Sequence, residues 1–390
     1  MKRSIAALVT LALLWIWLPV GASAAELDTD GKSAVLMDVQ TGTVLYEKNA
    51  HEPLAPASVT KVMTLLLIME AIDSGKIRWD DTVTASEAAA AKGGSQIYLK
   101  VGETMPVTDM VKAITVSSAN DAACAMAEHI AGSESAFVEL MNARAAELGM
   151  EDTHFVNCTG LDDGADAASH RTSAYDIALM SRELLKNHPD IKKYTTIWMD
   201  TIRGGAFGLS NTNKMVRFYP GCTGLKTGFT SGAGYCLSAS AERDGMELIA
   251  VVMGCQTSQS RTAACKAMLD HGFANYAVVI PKLEEEHQVP VALGKAGSVR
   301  AMLGDCPGLL IDKAKKSGIT MEVALEEGVA APVTRGQRLG TMTLRSGDTV
   351  LAQMPLVAAE SVARKTWGDL IVTVLRKVAM ARDQELEITP

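Results

Sequence analysis

The residues with the clearest chemical potential in this sequence are Ser58 and Lys61, in the segment Ser58-Val59-Thr60-Lys61. Residues three positions apart share one face of a helix, with about 5–6 Å between their Cβ atoms. A serine hydroxyl becomes a good nucleophile when a base removes its proton, and a lysine can be that base once burial keeps its amine neutral. A helix N-terminus also leaves N–H groups free to stabilise an oxyanion. The spacing therefore predicts covalent catalysis by Ser58.

A second candidate segment, Ser118-Ala119-Asn120, lies in a polar break between two helical runs. A hydroxyl at Ser118 can relay a proton between Lys61 and a leaving amine, and the Asn120 amide can hydrogen-bond a substrate backbone. The alternative is that Ser118 or Asp121 caps a helix, which is the commoner use of these residue types. Taken alone, the segment leaves both interpretations open.

A third candidate segment, Lys226-Thr227-Gly228, lies at the edge of a predicted strand. A lysine and a threonine that project from a strand can bind a carboxylate by charge and hydroxyl together. Gly228 allows a ligand to approach the backbone closely, and the following Phe229 N–H is a candidate oxyanion donor. The alternative for this segment is an ordinary solvated strand.

The elements that must position these segments can be predicted from hydrophobic periodicity. A hairpin is expected at Ser33 to Asp38 and Thr43 to Glu47, and a helix buried on all sides is expected from about Ser58. Further helices are expected between 108 and 149, with Thr108 as an N-cap. We expect strands at 223–230, 235–240 and 246–254, followed by a helix at 258–276. Together with the preceding elements they predict one α/β domain, whose sheet joins its N-terminal and C-terminal segments.

Composition narrows the class of protein and its partners. Hydrophobic residues make up 48% of the chain, which indicates a globular protein. The net charge of −8 argues against a nucleic-acid partner, because phosphate binding needs a basic surface. The seven cysteines are odd in number and show no CxxC or Cys/His ligand spacing. We therefore expect no metal and no cofactor, and we expect most cysteines to be small buried hydrophobic residues.

The three segments occur in a fixed order, about 60 and then about 110 residues apart, and resemble the motif set of the penicillin-recognising serine enzymes. Within that superfamily the chain is most similar to the D-alanyl-D-alanine carboxypeptidases of the low-molecular-mass penicillin-binding type. The similarity covers essentially the whole chain after residue 24 and includes Ala57 to Thr64, Ser117 to Ala122, Gly224 to Thr230, Thr153-His154-Phe155, Gly160-Leu161 and Ser173 to Asp176.

The resemblance implies a two-step acyl transfer on peptidoglycan stem peptides that end in D-Ala-D-Ala. Ser58 would attack the carbonyl between the two D-alanines, with Lys61 as base and Ser118 as proton relay, and water would release the shortened peptide. β-Lactam antibiotics would acylate Ser58 by the same route.

The resemblance also implies a set of substrate-binding residues. Lys226 and Thr227 would hold the terminal carboxylate, assisted by Arg261, and Asn120 would bind the substrate backbone. The N–H groups of Ser58 and Phe229 would bind the oxyanion.

Three other functions remain open from the sequence. A DD-endopeptidase uses the same site with a different leaving group. A class A-like β-lactamase adds a deacylating glutamate, for which Glu183 to Asn187 is the nearest match in spacing. A non-catalytic penicillin-binding sensor would not need Ser58, Lys61 and Ser118 together.

The two ends of the chain predict export and membrane contact. Lys2 and Arg3, an apolar run from Ile5 to Val20, and Ala22-Ser23-Ala24 form a signal-peptide pattern, with an uncleaved anchor as the alternative. At the other end Trp367, Leu370, Ile371, Val374, Leu375 and Val378 form one helical stripe flanked by basic residues. Such a helix suits an anionic membrane surface, and packing on the preceding domain is the alternative.

These observations together predict four parts of the chain. Residues 1–24 are a signal peptide, and 25–280 form a catalytic domain of the β-lactamase/transpeptidase-like α/β (α+β) fold. Residues 281–363 form a small β-sandwich, and 364–390 form an amphipathic membrane-anchor helix. The protein is then expected at the outer face of the cytoplasmic membrane, on the cell-wall side.

Overall fold

The structure is a computed structural model, and it describes residues 27, 29–164, 166–283, 285–304, 308–372 and 374–375. The predicted signal peptide and most of the C-terminal helix lie outside these ranges. The α-helices are α1 (Lys61–Asp73), α2 (Glu87–Ala90), α3 (Val107–Val116), α4 (Asn120–Ala131), α5 (Glu134–Glu147), α6 (Ala174–Asn187), α7 (Lys192–Thr195), α8 (Met215–Phe218) and α9 (Ser258–Asn275).

The strands fall into two groups. Those before residue 280 are β1 (Ser33–Asp38), β2 (Val44–Lys48), β3 (Thr82–Thr84), β4 (Thr104–Pro106), β5 (Met199–Ile202), β6 (Phe207–Ser210), β7 (Cys222–Thr230), β8 (Gly234–Arg243), β9 (Met246–Cys255) and β10 (Tyr276–Val279). Those after it are β11 (His287–Ala292), β12 (Ser298–Leu303), β13 (Leu309–Asp312), β14 (Ile319–Leu325), β15 (Val329–Ala330), β16 (Arg338–Ser346) and β17 (Thr349–Ala358).

A five-stranded antiparallel sheet, ordered β2-β1-β9-β8-β7, organises the first part of the chain. The predicted hairpin and the three predicted strands are confirmed, and β7 is an edge strand. The central strand β9 is buried along its whole length. Its side chains alternate between two cores, with Ile249 and Val251 on one face and Leu248 and Ala250 on the other.

Helices cover both faces of this sheet. One core contains α1, α3, α4 and α6, and the other is closed by α9 through Met268 and Leu269. The helix α1 is buried on nearly all sides, as its continuous apolar sequence predicts. The active-site candidates at its first turn are therefore fixed by a well-packed core.

One predicted helix start is wrong. The helix α3 begins at Val107 after Pro106, and Thr108 is inside it rather than at its N-cap. The Thr108 hydroxyl instead donates to the Trp79 carbonyl, at 2.9 Å. The Thr108 hydroxyl therefore makes a tertiary hydrogen bond instead of capping the helix.

The second part of the chain contains a six-stranded sheet ordered β14-β16-β17-β12-β11-β15. Two hydrophobic clusters lie on it, one around Val289 and Leu339 and the other around Leu344 and Leu356. The strand β10, which comes just before residue 280, pairs with β13, so hydrogen bonds join the two parts. Helical backbone resumes at Trp367, and Trp367, Ile371 and Leu375 are 83%, 59% and 63% exposed.

Candidate active site

The first turn of α1 brings Ser58 and Lys61 together as the sequence predicts. Ser58 lies in a 3₁₀ turn, Ala57–Thr60, that leads directly into α1. The Lys61 Nζ atom is 2.9 Å from Ser58 Oγ and 2.8 Å from the Thr159 carbonyl oxygen. Lys61 is fully buried. The amine therefore has two acceptors inside the protein, and the serine hydroxyl is one of them.

Burial changes the chemistry of this lysine. It lowers the pKa of Lys61 from 10.5 to about 7, against the opposing negative potential of Cys158 and Asp121. A charged amine is costly in a site that is removed from water, so the neutral form is favoured. About half of the Lys61 side chains are then neutral near pH 7, as a general base requires.

The backbone before Ser58 is held in an uncommon conformation. Ala57 has a φ of +49°, and Gly160 packs so closely that a Cβ at residue 160 would lie 1.8 Å from the Ala57 carbonyl oxygen. Gly160 itself has a φ of +81°, where glycine is strongly favoured. Strained positions of this kind cluster at functional sites, and here the strained residue directly precedes Ser58.

The second motif lies at the junction between α3 and α4. Ser118 is buried and has a φ of +63°. Within the described part of the chain no side chain caps α4, so the capping alternative for Ser118 is wrong. The carboxylate of Asp121 accepts from the N–H groups of Ile97 and Leu99, at 3.1 and 3.0 Å, and so clamps a neighbouring loop.

Asn120, in the same motif as Ser118, has one unsatisfied atom. Its Nδ2 donates to the Gly93 carbonyl at 2.7 Å, and its backbone N–H donates to the Ser95 carbonyl at 2.7 Å. Its Oδ1 atom is buried and has no hydrogen-bond partner in the described ranges. A buried acceptor without a partner is costly, and an incoming N–H from a ligand would satisfy it.

The third motif occupies the edge strand β7 beside the first. A Cβ at Gly228 would lie 2.7 Å from the Pro56 carbonyl oxygen and 3.1 Å from the Val59 nitrogen, so the strand and the Ser58 turn are in close contact. Lys226 is almost fully buried, and its Nζ donates to the Thr227 carbonyl at 2.9 Å. Burial lowers the pKa of Lys226, and the charges of Lys61 and Arg261 lower it further.

A hydroxyl pair connects the second and third motifs. Thr227 Oγ1 is 2.7 Å from Thr212 Oγ1, and the Thr212 N–H donates to the carbonyl of Val116, two residues before Ser118. The third motif thus contacts the Ser58 turn directly at Gly228 and is linked through Thr212 to the end of α3, just before Ser118. Thr212 and the Thr159 carbonyl had no motif signal, because neither belongs to a recognisable sequence pattern.

Arg261 and Phe229 lie at the far end of β7. The Arg261 Nη1 donates to the Gly228 and Cys236 carbonyls, at 3.2 and 3.3 Å, while its Nε is buried without a partner among the described residues. Burial lowers the pKa of Arg261. Phe229 is 53% exposed and packs on the Tyr235 ring with 4.3 Å between centroids. Arg261 therefore braces the strand from behind, and Phe229 lies on its solvent side.

His170 acts as a structural anchor beside Ser58. Its Nε2 is 2.8 Å from Thr60 Oγ1, and its Nδ1 accepts from the Val156 N–H at 3.1 Å. Burial lowers the pKa of His170 to about 4, so the ring is neutral at physiological pH. These contacts tie the loop that carries Thr159 and Gly160 to the turn that carries Ser58.

Neither Glu183 nor the group that it forms with Glu70 and His188 supports a chemistry other than that of Ser58. Glu183, the nearest match to a β-lactamase glutamate, lies in α6 and pairs with Arg144 at 2.7 Å. Among the described residues Glu70, Glu183 and His188 are close enough to share a metal ion. Arg144 also donates to Glu70 at 2.7 Å, so both carboxylates are already neutralised.

Comparison with known proteins agrees with this geometry. Residues 20–257 match the family model described as D-alanyl-D-alanine carboxypeptidase, and residues 279–364 match that of the penicillin-binding protein 5 C-terminal domain. The chain is 42% identical to the D-alanyl-D-alanine carboxypeptidase DacF of Bacillus subtilis over 376 residues, which cover 93% of this chain and 95% of the relative.

Solved structures show the same relationship. Penicillin-binding protein 5 of Haemophilus influenzae matches with a TM-score of 0.72 and 30% identity, over 86% of this chain and 98% of that one. Penicillin-binding protein D2 of Listeria monocytogenes, solved in its ampicillin-bound form, matches with a TM-score of 0.58 and 32% identity, over 63% of this chain and 99% of that one. The chain belongs to the D-alanyl-D-alanine carboxypeptidase family of serine hydrolases, the low-molecular-mass penicillin-binding proteins.

Proposed function

We propose that this carboxypeptidase removes the terminal D-alanine from peptidoglycan stem pentapeptides through an acyl-enzyme on Ser58. The observation that carries the proposal is the buried Lys61 amine, 2.9 Å from Ser58 Oγ, with a pKa lowered to about 7. An uncharged base is thereby in hydrogen-bonding reach of the nucleophile, as covalent catalysis by serine requires.

In the acylation step the Lys61 amine takes the proton of Ser58, and Ser58 Oγ attacks the carbonyl between the two D-alanines. The N–H groups of Ser58 and Phe229 stabilise the oxyanion. As the C–N bond breaks, Ser118 relays the proton from Lys61 to the leaving D-alanine amine. Water then attacks the ester, Lys61 accepts its proton, and Ser58 regains its hydrogen.

Substrate binding follows from charge and from the unsatisfied polar atoms. The terminal carboxylate binds to Lys226 and Thr227, and Arg261 adds positive potential from behind β7. A bound carboxylate gives Lys226 the counter-charge that burial otherwise denies it. Asn120 Oδ1 accepts an N–H from the peptide backbone. The outer edge of β7, which pairs with no other strand in the described ranges, offers further hydrogen bonds to an extended peptide.

We further propose that β-lactams acylate Ser58 by the same route, since their ring amide presents a carbonyl and a carboxylate in a comparable arrangement. The ampicillin-bound form of the Listeria relative supports this assignment. A β-lactam acyl-enzyme would persist, because Glu183, the nearest match to a deacylating glutamate, is not free to activate water. Its carboxylate accepts a hydrogen bond from Arg144.

The remaining parts of the chain are assigned in the same proposal. Residues 1–24 direct export, 25–280 form the catalytic domain, 281–363 form the β-sandwich, and 364–390 anchor the enzyme to the outer face of the cytoplasmic membrane. The exposed Trp367, Ile371 and Leu375 side chains support the anchor, because a stripe packed on the β-sandwich would be covered. Among the helices of the described ranges, none has the length and hydropathy needed to cross a membrane.

The test uses Ser58→Ala, with Ser74→Ala at the other end of α1 as a matched control. Ser58→Ala should abolish both labelling by fluorescent penicillin and release of D-alanine from a stem pentapeptide, while circular dichroism stays unchanged. Ser74→Ala should retain both activities. D-alanine release by Ser58→Ala would refute the nucleophile assignment, and cleavage of a cross-linked peptide dimer in preference to the pentapeptide would favour the endopeptidase.

A further inference from the structure

Two cysteine thiols outside the catalytic mechanism meet at one carboxylate. Cys124 lies on α4 and Cys158 lies in the loop after α5, and both are fully buried. Cys158 Sγ is 3.3 Å from Glu134 Oε1, and Cys124 Sγ is 3.8 Å from Glu134 Oε2. The two thiols are close enough for Cys124 to raise the pKa of Cys158. The pair is thus a dithiol that shares one acceptor.

The backbone of Cys158 leads directly to the catalytic lysine. Its carbonyl accepts from Thr64 Oγ1 at 2.6 Å, and the carbonyl of the next residue, Thr159, accepts from Lys61 Nζ at 2.8 Å. Thr64 lies one turn after Lys61 on the same helix α1. A movement of Cys158 is therefore transmitted through one peptide unit to the hydrogen bond of the general base.

A cavity gives small molecules access to this region. Its volume is about 320 Å³, and its walls include Lys92, Glu134, Asn157 and Thr159. Lys92 pairs with Glu134 at 2.5 Å, and Glu134 is the carboxylate that both thiols contact, so the cavity wall and the two sulfurs share this residue. Lys92 and Glu134 are partly exposed, with 23% and 22% of their side-chain surfaces accessible. A small organic disulfide can enter a space of this size.

We propose that Cys124 and Cys158 form a redox modification site in which thiol–disulfide exchange with a small organic disulfide creates a Cys124–Cys158 bond. One thiolate attacks the disulfide to form a mixed disulfide and releases one thiol. The second cysteine then displaces the remaining half and releases the second thiol. Both electrons pass to the organic disulfide, and the two cysteine protons end on its thiol products.

The bond would alter the active site by displacing Cys158. A disulfide requires an S–S distance near 2.05 Å, so the sulfurs must leave their positions at the Glu134 carboxylate. Because Thr159 follows Cys158, its carbonyl moves relative to Lys61. We expect acylation of Ser58 to slow about tenfold, the effect of losing one ordinary hydrogen bond. This consequence rests on the proposed function, whereas formation of the cross-link does not.

The state of the thiol sets the rate of the exchange. The pKa of Cys158 is raised well above its ordinary value of 9.0, first by contact with Cys124 and then by burial, to which the charge of Glu134 adds. Since the thiolate is the attacking species, cross-linking should be slow at neutral pH and should accelerate about tenfold for each unit of pH on the alkaline side.

The experiment treats the full chain with 2-hydroxyethyl disulfide and maps peptides by mass spectrometry without reduction. Acylation by fluorescent penicillin is measured on the same samples, before treatment, after it, and after reduction with dithiothreitol. Fluorescent penicillin must first label the reduced, untreated protein. A failure at that step would contradict the proposed function and not the cross-link, so the two proposals are tested separately. Cys124→Ser and Cys124→Ala remove the site, and Cys222→Ser removes a partly buried thiol as the matched control.

The expected result is a peptide joining Cys124 to Cys158, with acylation slowed about tenfold and restored by dithiothreitol. The Cys222→Ser protein should behave in the same way, and both Cys124 variants should form no intramolecular cross-link. A cross-link between any other cysteines, a Cys124–Cys158 bond that leaves acylation unchanged, or slowing in a Cys124 variant that carries no mixed disulfide on Cys158 would overturn the proposal. Peptide mapping and the acylation rate of the unmodified protein need no variant, so they decide the question even if a variant fails to fold.

Discussion

The proton on Lys61 should govern how fast this enzyme is acylated as the pH changes. Since the neutral amine is the base, the second-order rate of acylation by a penicillin should rise about tenfold for each pH unit below about pH 6 and level off above about pH 8. The midpoint should lie at about 7, the value to which burial lowers the pKa of Lys61. The carboxylate of the penicillin stays ionised throughout this range.

The magnitude follows from the size of the pKa change. With its ordinary pKa of 10.5 only about one lysine in three thousand would be neutral at pH 7, whereas about half are neutral when the pKa is about 7. Burial thus enlarges the pool of active base more than a thousandfold, equivalent to about 5 kcal/mol. The effect arises from desolvation, because the nearby Cys158 and Asp121 act in the opposite direction.

The assay is rapid-mixing acylation by a fluorescent penicillin from about pH 5 to about pH 9, with Asp121→Asn and Asp73→Asn as paired variants. Removing the charge of Asp121 should move the midpoint to lower pH, since that charge raises the pKa of Lys61. Asp73 lies at the other end of α1, and its substitution should leave the midpoint unchanged. A flat profile, or a midpoint above about 9, would mean that Lys61 is charged at neutral pH and is not the base.

Three further predictions concern binding, backbone geometry and the C-terminal helix. Because a bound carboxylate raises the lowered pKa of Lys226, pentapeptide binding to Ser58→Ala should be accompanied by proton uptake on the alkaline side of neutrality. Calorimetry in two buffers measures this uptake, and proton release on binding would contradict the prediction. Gly160→Ala should slow acylation at least about a hundredfold and destabilise the fold by about 2 kcal/mol or more. The control Gly208→Ala places its Cβ in open space, so its thermal melting and its acylation rate should be normal. Deleting 367–390 should release the enzyme from anionic vesicles in a flotation assay with turnover unchanged, and lost turnover would show that the tail packs on the enzyme.

Local pattern was sufficient to predict the elements that carry the site. The strands β7, β8 and β9 were predicted within three residues of their observed ends, because apolar residues and glycine-containing turns mark them. The unbroken apolar sequence of α1 predicted a buried helix for the same reason. The order of the three motifs predicted one shared cleft, and the contacts around Gly228 place the third motif beside the Ser58 turn.

The features that sequence could not supply depend on backbone atoms and tertiary partners. The second acceptor of Lys61 is the Thr159 carbonyl, and a carbonyl oxygen has no residue-type signature. Thr108 has the residue type of an N-cap, but in the structure its hydroxyl donates to the Trp79 carbonyl. Ser118 resembled one too, but its positive φ turns the chain before α4 begins. Distant carbonyls thus determine what Lys61 and Thr108 do, and at Ser118 the backbone conformation does so.

The same burial that makes Lys61 a base must also lower the stability of the fold. In the unfolded chain the amine is protonated below pH 10.5, whereas in the folded protein it gives up that proton above about pH 7. The cost is absent above pH 10.5, grows as the pH falls, and reaches about 5 kcal/mol at and below pH 7. Each fully buried apolar side chain of α1, such as Leu66, Ile68 and Met69, contributes roughly 1.5–3 kcal/mol in the opposite direction. A catalytic lysine of this kind therefore needs a helix that is apolar nearly all round, and an amphipathic surface helix with the same Ser-x-x-Lys spacing would leave the amine charged and the serine inactive.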